Sequence, residues 1–303
     1  MILGPNLTPS RHGRWVMPIA GTFDGTQRIT LIITSDSDNM RIAEHECVAD
    51  TSIQSWNQSG ALGIRHGVTL VIDENVTLRA AANSVTNSGE SLLYIEAGSR
   101  VILDGGTLGG FPSGGGNGGI TTNSGDFGAY FIMNSGRLNG LNSTSGAFGM
   151  FRHSAFIMHG GTITANTTSN STTPRAGGIS LRGATTAADH GSRSFFMTGG
   201  SITGNTVAGA GASANAGAII FDGAFQKTGG IIGPNANNST GGNVRATAVA
   251  ILRASGNNPT LANSIIRNAI LDEDDVLFAE SIKPASGTIG TIIQPLWGEN
   301  NWE

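Results

Sequence analysis

Asp126, Asp189 and Asp222 are the only acids between residues 105 and 270, so acid–base chemistry in that stretch would have to run through them. Polysaccharide hydrolysis needs two carboxylates roughly 5–9.5 Å apart. A lyase needs clustered acidic oxygens for Ca²⁺ with a basic proton acceptor nearby. Asp189 and His190, with Arg193 close by and Asp222 further on, are the best catalytic set on offer. The three aspartates nevertheless fall at unrelated phases of the repeat described below, and Asp104 lies a coil or more from each. They are read as solvated loop residues, and the chain as a non-enzyme. His153 and His159 are six residues apart and flank one apolar segment, but no third ligand accompanies them, so no metal site is expected there.

Asp36-Ser37-Asp38-Asn39 and Asp272-Glu273-Asp274-Asp275 gather oxygens of the kind hard cations prefer. Neither has the glycine and terminal glutamate of an EF-hand loop. Both are read as solvated turns without a cofactor, Ca²⁺ being the one ion they leave open. The glycines of 109–110 and 114–119 look like a phosphate cradle, but no helix follows to supply its anion-binding end. Thr162/Thr164 and Ser201/Thr203 offer the hydroxyl pairs an ice-binding face would repeat, and Arg137/Asn139 and Ile231/Gly233 interrupt the column. Cys47 is the single cysteine, which excludes an intrachain disulfide or a thiolate metal cluster.

These residues are carried by a repeat. One segment recurs five times: Val101-Ile102-Leu103-Asp104-Gly105-Gly106-Thr107-Leu108, and then the stretches beginning at Phe131, Phe156, Phe195 and Ala224. The Gly-Gly or Ser-Gly pairs inside it (Gly105/Gly106, Ser135/Gly136, Gly160/Gly161, Gly199/Gly200, Gly229/Gly230) advance by 30, 25, 39 and 30 residues. The third and fourth copies run on to Asn166 and Asn205. A second apolar segment lies between copies, at residues 176–181, 216–221 and 246–252. Period-2 alternation in pieces of about 3–6 residues bounded by Gly, Asn and Ser signals strands, and no window holds a 3.6-residue period. A strand this short cannot bury an apolar face alone. Stacked at about 4.8 Å on its copy in the next coil, it gains a ladder of backbone hydrogen bonds. Glycine supplies the positive φ of a sharp corner, and stacked Asn can pair amide to amide. Coils of 25–39 residues exceed the roughly 18 of the smallest left-handed hexapeptide coil and suit a right-handed, three-faced one.

The segments FIMHGGTITAN and FFMTGGSITGN, followed by AGGISL and NAGAIIF, resemble the Gly/Asn-rich repeats of bacterial surface β-helix proteins. These include spirochaete-type surface repeats and polymorphic outer-membrane-type passengers. The likeness covers about residues 100–256 and implies an exported protein with a structural, adhesive or assembly role.

Composition agrees with a rigid β protein. Gly numbers 46 against 9 Pro without a G-X-Y period, which excludes collagen. Charged residues are 13%, too few for a chain kept unfolded by charge. Net charge is −4 for residues 1–104, +6 for 105–270 and −6 for 271–303. The basic residues of the middle are scattered without aromatic interleaving, so no nucleic-acid partner is expected. The opposite signs suit contact between segments of one chain or of neighbours. No stretch reaches the about 18 apolar residues of a membrane span, and Met1–Asn6 begins without the apolar run of a signal peptide.

The sequence thus predicts an all-β fold, a right-handed single-stranded parallel β-helix (solenoid) of about seven coils with capping segments at both ends. Residues 1–60 form an N-terminal cap in which residues 28–43 look like a hairpin or paired cap strands. Residues 61–270 form the helix, and 271–303 an acidic cap and assembly tail. Trp15, Trp56, Trp297 and Trp302 all lie outside the repeats. Aromatics anchor interfaces, so with Asp272, Asp274 and Asp275 they are the expected contacts to further copies of the chain, the alternative being that residues 295–303 fold back over the chain's own last coil. The expected function is a self-assembling subunit of an extracellular filament, sheath or surface layer. Alternatives are an adhesin or carbohydrate-binding surface module, with surface glycans as partners, and a polysaccharide-degrading enzyme or phage tailspike.

Overall fold

The structure is a computed structural model. It describes residues 2–3, 15–16, 29–35, 41–45, 59–64, 67–80, 90–96, 98–111, 119–122, 129–143, 146–150, 154–168, 176–181, 193–207, 217–221, 224–227, 229–233, 236–237, 244–246, 251–252 and 265–266. Among these there is no helix; the described chain is strands and the corners between them.

The strands sort into three sheets. The first runs β1 (Ile2–Leu3), β3 (Ile29–Ser35), β6 (Val68–Asp73), β9 (Arg100–Asp104), β12 (Ala129–Met133), β15 (Ser154–Met158), β19 (Arg193–Met197), β23 (Ala224–Lys227), β27 (Ile251–Leu252). The second runs β4 (Arg41–His45), β7 (Val76–Ala80), β10 (Thr107–Phe111), β13 (Arg137–Ser143), β16 (Thr162–Thr164), β20 (Ser201–Thr203), β24 (Ile231–Ile232). It also carries a side ladder of β17 (Thr167–Thr168), β21 (Thr206–Val207) and β25 (Ala236–Asn237) beside the end of β13. The third runs β2 (Trp15–Val16), β5 (Ser59–Ile64), β8 (Glu90–Ile95), β11 (Ile120–Thr122), β14 (Phe148–Met150), β18 (Ile179–Leu181), β22 (Ile219–Phe221), β26 (Val244–Ala246), β28 (Ile265–Ile266). From β6 onward the chain visits the sheets in turn and pairs each strand with the one laid down a circuit earlier. Every strand pairing among the described residues is parallel except β26 with β28. This is compatible with a parallel β-helix.

Register follows the apolar columns. In the first sheet Leu70, Val101, Phe131, Phe156 and Phe195 are successive partners, and so are Ile72, Leu103, Met133, Met158 and Met197. In the second, Leu78, Leu108, Leu138, Ile163, Ile202 and Ile232 stack. In the third, Leu62, Leu93, Ile120, Phe148, Ile179 and Ile219 stack. All these residues are buried and belong to one continuous core. A slip by one residue would turn each column outward. Phe156 meets Phe131 edge-on at 5.0 Å and Phe195 at 5.2 Å, and Phe148 reaches across from the third sheet to within 4.8 Å of Phe156. These are favoured aromatic separations. β12 and β15 are buried along their whole length, as parallel strands covered on both faces are.

The structure differs from the sequence reading at residues 28–43. β3 and β4 are not partners of one another. They lie in different sheets, and each pairs in parallel with a strand of the next circuit, Leu31 with Leu70 and Ala43 with Leu78. The polar turn between them resembles a hairpin loop in composition, but apolar columns continuing from later strands decide the pairing.

Candidate functional site

The corner after the first sheet is the most constrained place in the described chain. Its glycine column is Gly106, Gly136, Gly161, Gly200, Gly230. The carbonyl of each of the first four accepts the N–H of the residue after the next glycine, at 2.9 Å for Arg137, Thr162, Ser201 and Ile231. Gly200 has φ 83°, and a Cβ there would lie 2.6 Å from Met158 Cε and 2.7 Å from the Gly161 carbonyl oxygen. The same holds one coil on, where a Cβ on Gly230 would lie 2.6 Å from Met197 Cε. Each methionine of the Ile-Met or Phe-Met pair therefore fills the space vacated by the missing side chain in the next coil. Gly160, Gly199 and Gly229 are needed for a different reason: a Cβ would strike the backbone carbonyl of Asn134, His159 or Thr198 in the coil before. In the earlier circuit the left-handed residue is Gly105 (φ 102°), not Gly106, and before it Asn75 (φ 60°), so the turn shifts by one residue between coils.

The corner after the second sheet is held by the two asparagines. Both are fully buried. Asn166 Nδ2 donates to Asn205 Oδ1 at 2.8 Å and to the Leu138 carbonyl at 3.0 Å. Asn166 Oδ1 accepts the Leu141 N–H at 2.9 Å. Asn205 Nδ2 donates to the Ile163 carbonyl at 2.9 Å and the Thr203 carbonyl at 3.2 Å. Amide stacking thus satisfies backbone groups that the corner would otherwise strand without partners. Beyond it, buried hydroxyls bridge coils: Ser91 Oγ to Thr121 Oγ1 at 2.6 Å and Ser154 Oγ to Thr122 Oγ1 at 2.7 Å.

Of the acidic groups, Asp73 and Asp104 are brought together by the register, a pairing the sequence reading passed over. Asp73 and Asp104 are direct partners on β6 and β9, roughly 5 Å apart at the backbone. Asp104 is exposed and Asp73 half-buried, and Asp73 Oδ1 accepts the Glu74 N–H at 2.9 Å. The signal was present in the alignment of Val71-Ile72-Asp73 with Ile102-Leu103-Asp104. The same column continues as Asn134, His159 and Thr198, with His159 Nδ1 and Thr198 Oγ1 2.9 Å apart. Arg100 stacks on Tyr130 in the first sheet. Burial pushes its guanidinium down from its ordinary value, and Tyr130 pulls in the opposite direction. Among the described residues no group of three or more His, Cys, Asp or Glu is placed to hold a metal ion, and no helix is long and apolar enough to cross a membrane.

Asp189, His190 and Asp222 lie outside the described residues, as do Trp56, Trp297, Trp302, Asp272, Asp274, Asp275 and His153. Trp15 opens the third sheet, its backbone paired with Leu62. Gly105, Gly106, Gly160, Gly161, Asn166, Gly199, Gly200, Asn205, Gly229 and Gly230 are all described, each between two strands.

The ends of the sheets differ from their middles. Among the described residues, the exposed large apolar ones are Ile29 (42%), Ile32 (48%) and Ile42 (41%), on β3 and β4, and Ile231 (45%), on β24. β4 and β24 are the two end strands of the second sheet, and β1 covers β3 only at Thr34 and Ser35. Ile29 is in register with Val68 of the core, which is 1% exposed. No family model, no curated protein and no solved structure matches this chain.

Proposed function

We propose that this chain is a non-enzymatic, self-assembling subunit of an extracellular filament, sheath or surface layer. In this reading it is a right-handed β-helix of about seven coils with capping segments, and copies stack end to end through their sheet edges. The observation that carries the reading is that, among the described residues, the exposed large apolar side chains lie on β3, β4 and β24, at or next to the sheet ends. Ladders of parallel strands end in rows of unpaired backbone groups, and apolar side chains at those ends reward covering them with another copy. The acidic segment 271–303 and its tryptophans would contact the neighbour's basic middle. The experiment is negative-stain electron microscopy of the chain with and without residues 295–303. Filaments that vanish on truncation are expected, and dispersed monomers in both samples would overturn the reading.

A polysaccharide-degrading enzyme is the second reading, and it is favoured by the apposed Asp73 and Asp104 alone. Adjacent-strand register puts the two side chains side by side on one face, the placement a pair of catalytic carboxyls needs. Reducing-end release from a panel of acidic and neutral glycans, lost in Asp73→Asn and Asp104→Asn, would support it. A panel left uncleaved by the unaltered chain would remove it.

A further inference from the structure

Among the described residues the third sheet ends differently from every other run of strands. β26 pairs with β22 in parallel, Ile219 with Val244 and Phe221 with Ala246. Its other edge is taken by β28 running the opposite way, Val244 opposite Ile266 and Arg245 opposite Ile265. All other strand pairings among the described residues are parallel. The next coil of such a ladder would add a strand of the same direction. An antiparallel strand on its edge satisfies the last row of N–H and C=O groups while denying the next parallel strand its place. β28 is also short, two residues, so few backbone hydrogen bonds hold it there. At the far end of the same sheet stands β2, a two-residue strand that pairs in parallel with β5.

We propose that β28 is a removable stop: it occupies the β26 edge in the isolated chain and leaves when a second copy supplies β2 as the parallel strand in its place. The proposal rests on the end-to-end stacking put forward above and adds to it a contact that holds the chain back from assembly. The occupant is a further copy of this chain because the edge is backbone in register with this chain's own coils, and the first strand of that sheet is β2. Dissociation of β28 then precedes joining, and assembly lags until that edge is free.

The test locks β28 in place. The strand partners Val244 and Ile266 are changed together to cysteine, with Cys47→Ser removing the native thiol. Partner Cα atoms of an antiparallel pair lie about 4.5–5.5 Å apart, inside the range of about 4.4–6.8 Å a disulfide spans. Sedimentation velocity is run on the oxidised protein, on the same protein after reduction, and on the unaltered chain. The expected result is assembly at least ten-fold slower in the oxidised form, restored to the unaltered chain's rate by reductant. Failure of the cross-link to form overturns the proposal, because the pairing is then absent. Equal rates in the two redox states overturn it as well, and so does a reduced form that stays monomeric while the unaltered chain assembles. Monomers throughout, the unaltered chain included, overturn the stacking reading itself.

Discussion

Ala165 adopts φ 54° in a column whose other members, Gly110, Gly140 and Gly204, are glycines at 64°, 67° and 65°. An alanine pays roughly 1–2 kcal/mol for that conformation, partly offset by the greater freedom glycine loses on folding. Ala165→Gly is therefore expected to stabilise the fold by about 0.5–1 kcal/mol, read from the urea midpoint; a lower midpoint would contradict the assignment of that corner. The glycines themselves divide by the room around them. A Cβ at Gly140 would find its nearest atom, Gly110 N, 3.6 Å away, whereas at Gly200 it meets Met158 Cε and a carbonyl oxygen. Gly140→Ala should cost about 1 kcal/mol, from backbone conformation alone. Gly200→Ala should cost about 2–4 kcal/mol, because overpacking adds to it. Equal losses at the two sites in chemical denaturation would mean that the methionines do not fill the corner. The repeated Gly-Gly was legible in the sequence as a corner. Its interlock with the preceding methionine was not, because that contact joins residues about 40 positions apart whose types are each explained by simpler demands, an apolar core and a turn.

At the scale of the element, short strands are held by what stacks at their ends. The asparagine corner is expected to behave as a unit. Asn205→Ala leaves the Ile163 carbonyl and the Asn166 amide each short of a partner, and should cost about 2–3 kcal/mol. Asn205→Asp places an acceptor against the Ile163 and Thr203 carbonyls. Its carboxyl is then favoured in the protonated form, with a folded pKa above the unfolded one. The stability this variant retains is present at low pH and is lost as pH rises through the folded pKa. Thermal melts at pH 4 and pH 7, each against the unaltered chain, check the sign: a deficit that shrinks toward pH 7 would contradict the geometry. Register, too, was legible at this scale. The intervals 30, 25, 39 and 30 between glycine pairs are those between Leu103, Met133, Met158, Met197 and Lys227, which are strand partners. Residues 28–43 were misread because a coil corner and a hairpin loop have the same polar composition, and only the partner of Leu31, 39 residues on, tells them apart. Asp73 and Asp104 were overlooked for a related reason. Their pairing is a property of the coil interval, and no local motif announces it.

For the whole molecule, columns of buried side chains from the three sheets meet in one core, and among the described residues the exposed large apolar side chains lie on β3, β4 and β24, at or next to the sheet ends. Under the proposed stacking, association would be a property of the ends. The measurement that tests this most directly is sedimentation velocity over a range of concentrations on the unaltered chain, on Ile29→Asp and on Ile231→Asp. Those substitutions put a charge at an exposed position on β3, next to the end of the first sheet, and on β24, the end strand of the second, Ile29 being 42% and Ile231 45% exposed. The account predicts that the unaltered chain grows in mass with concentration while each variant stays at the 31.0 kDa of one chain. An unaltered chain that remains at that mass throughout, or variants that associate as it does, would contradict it.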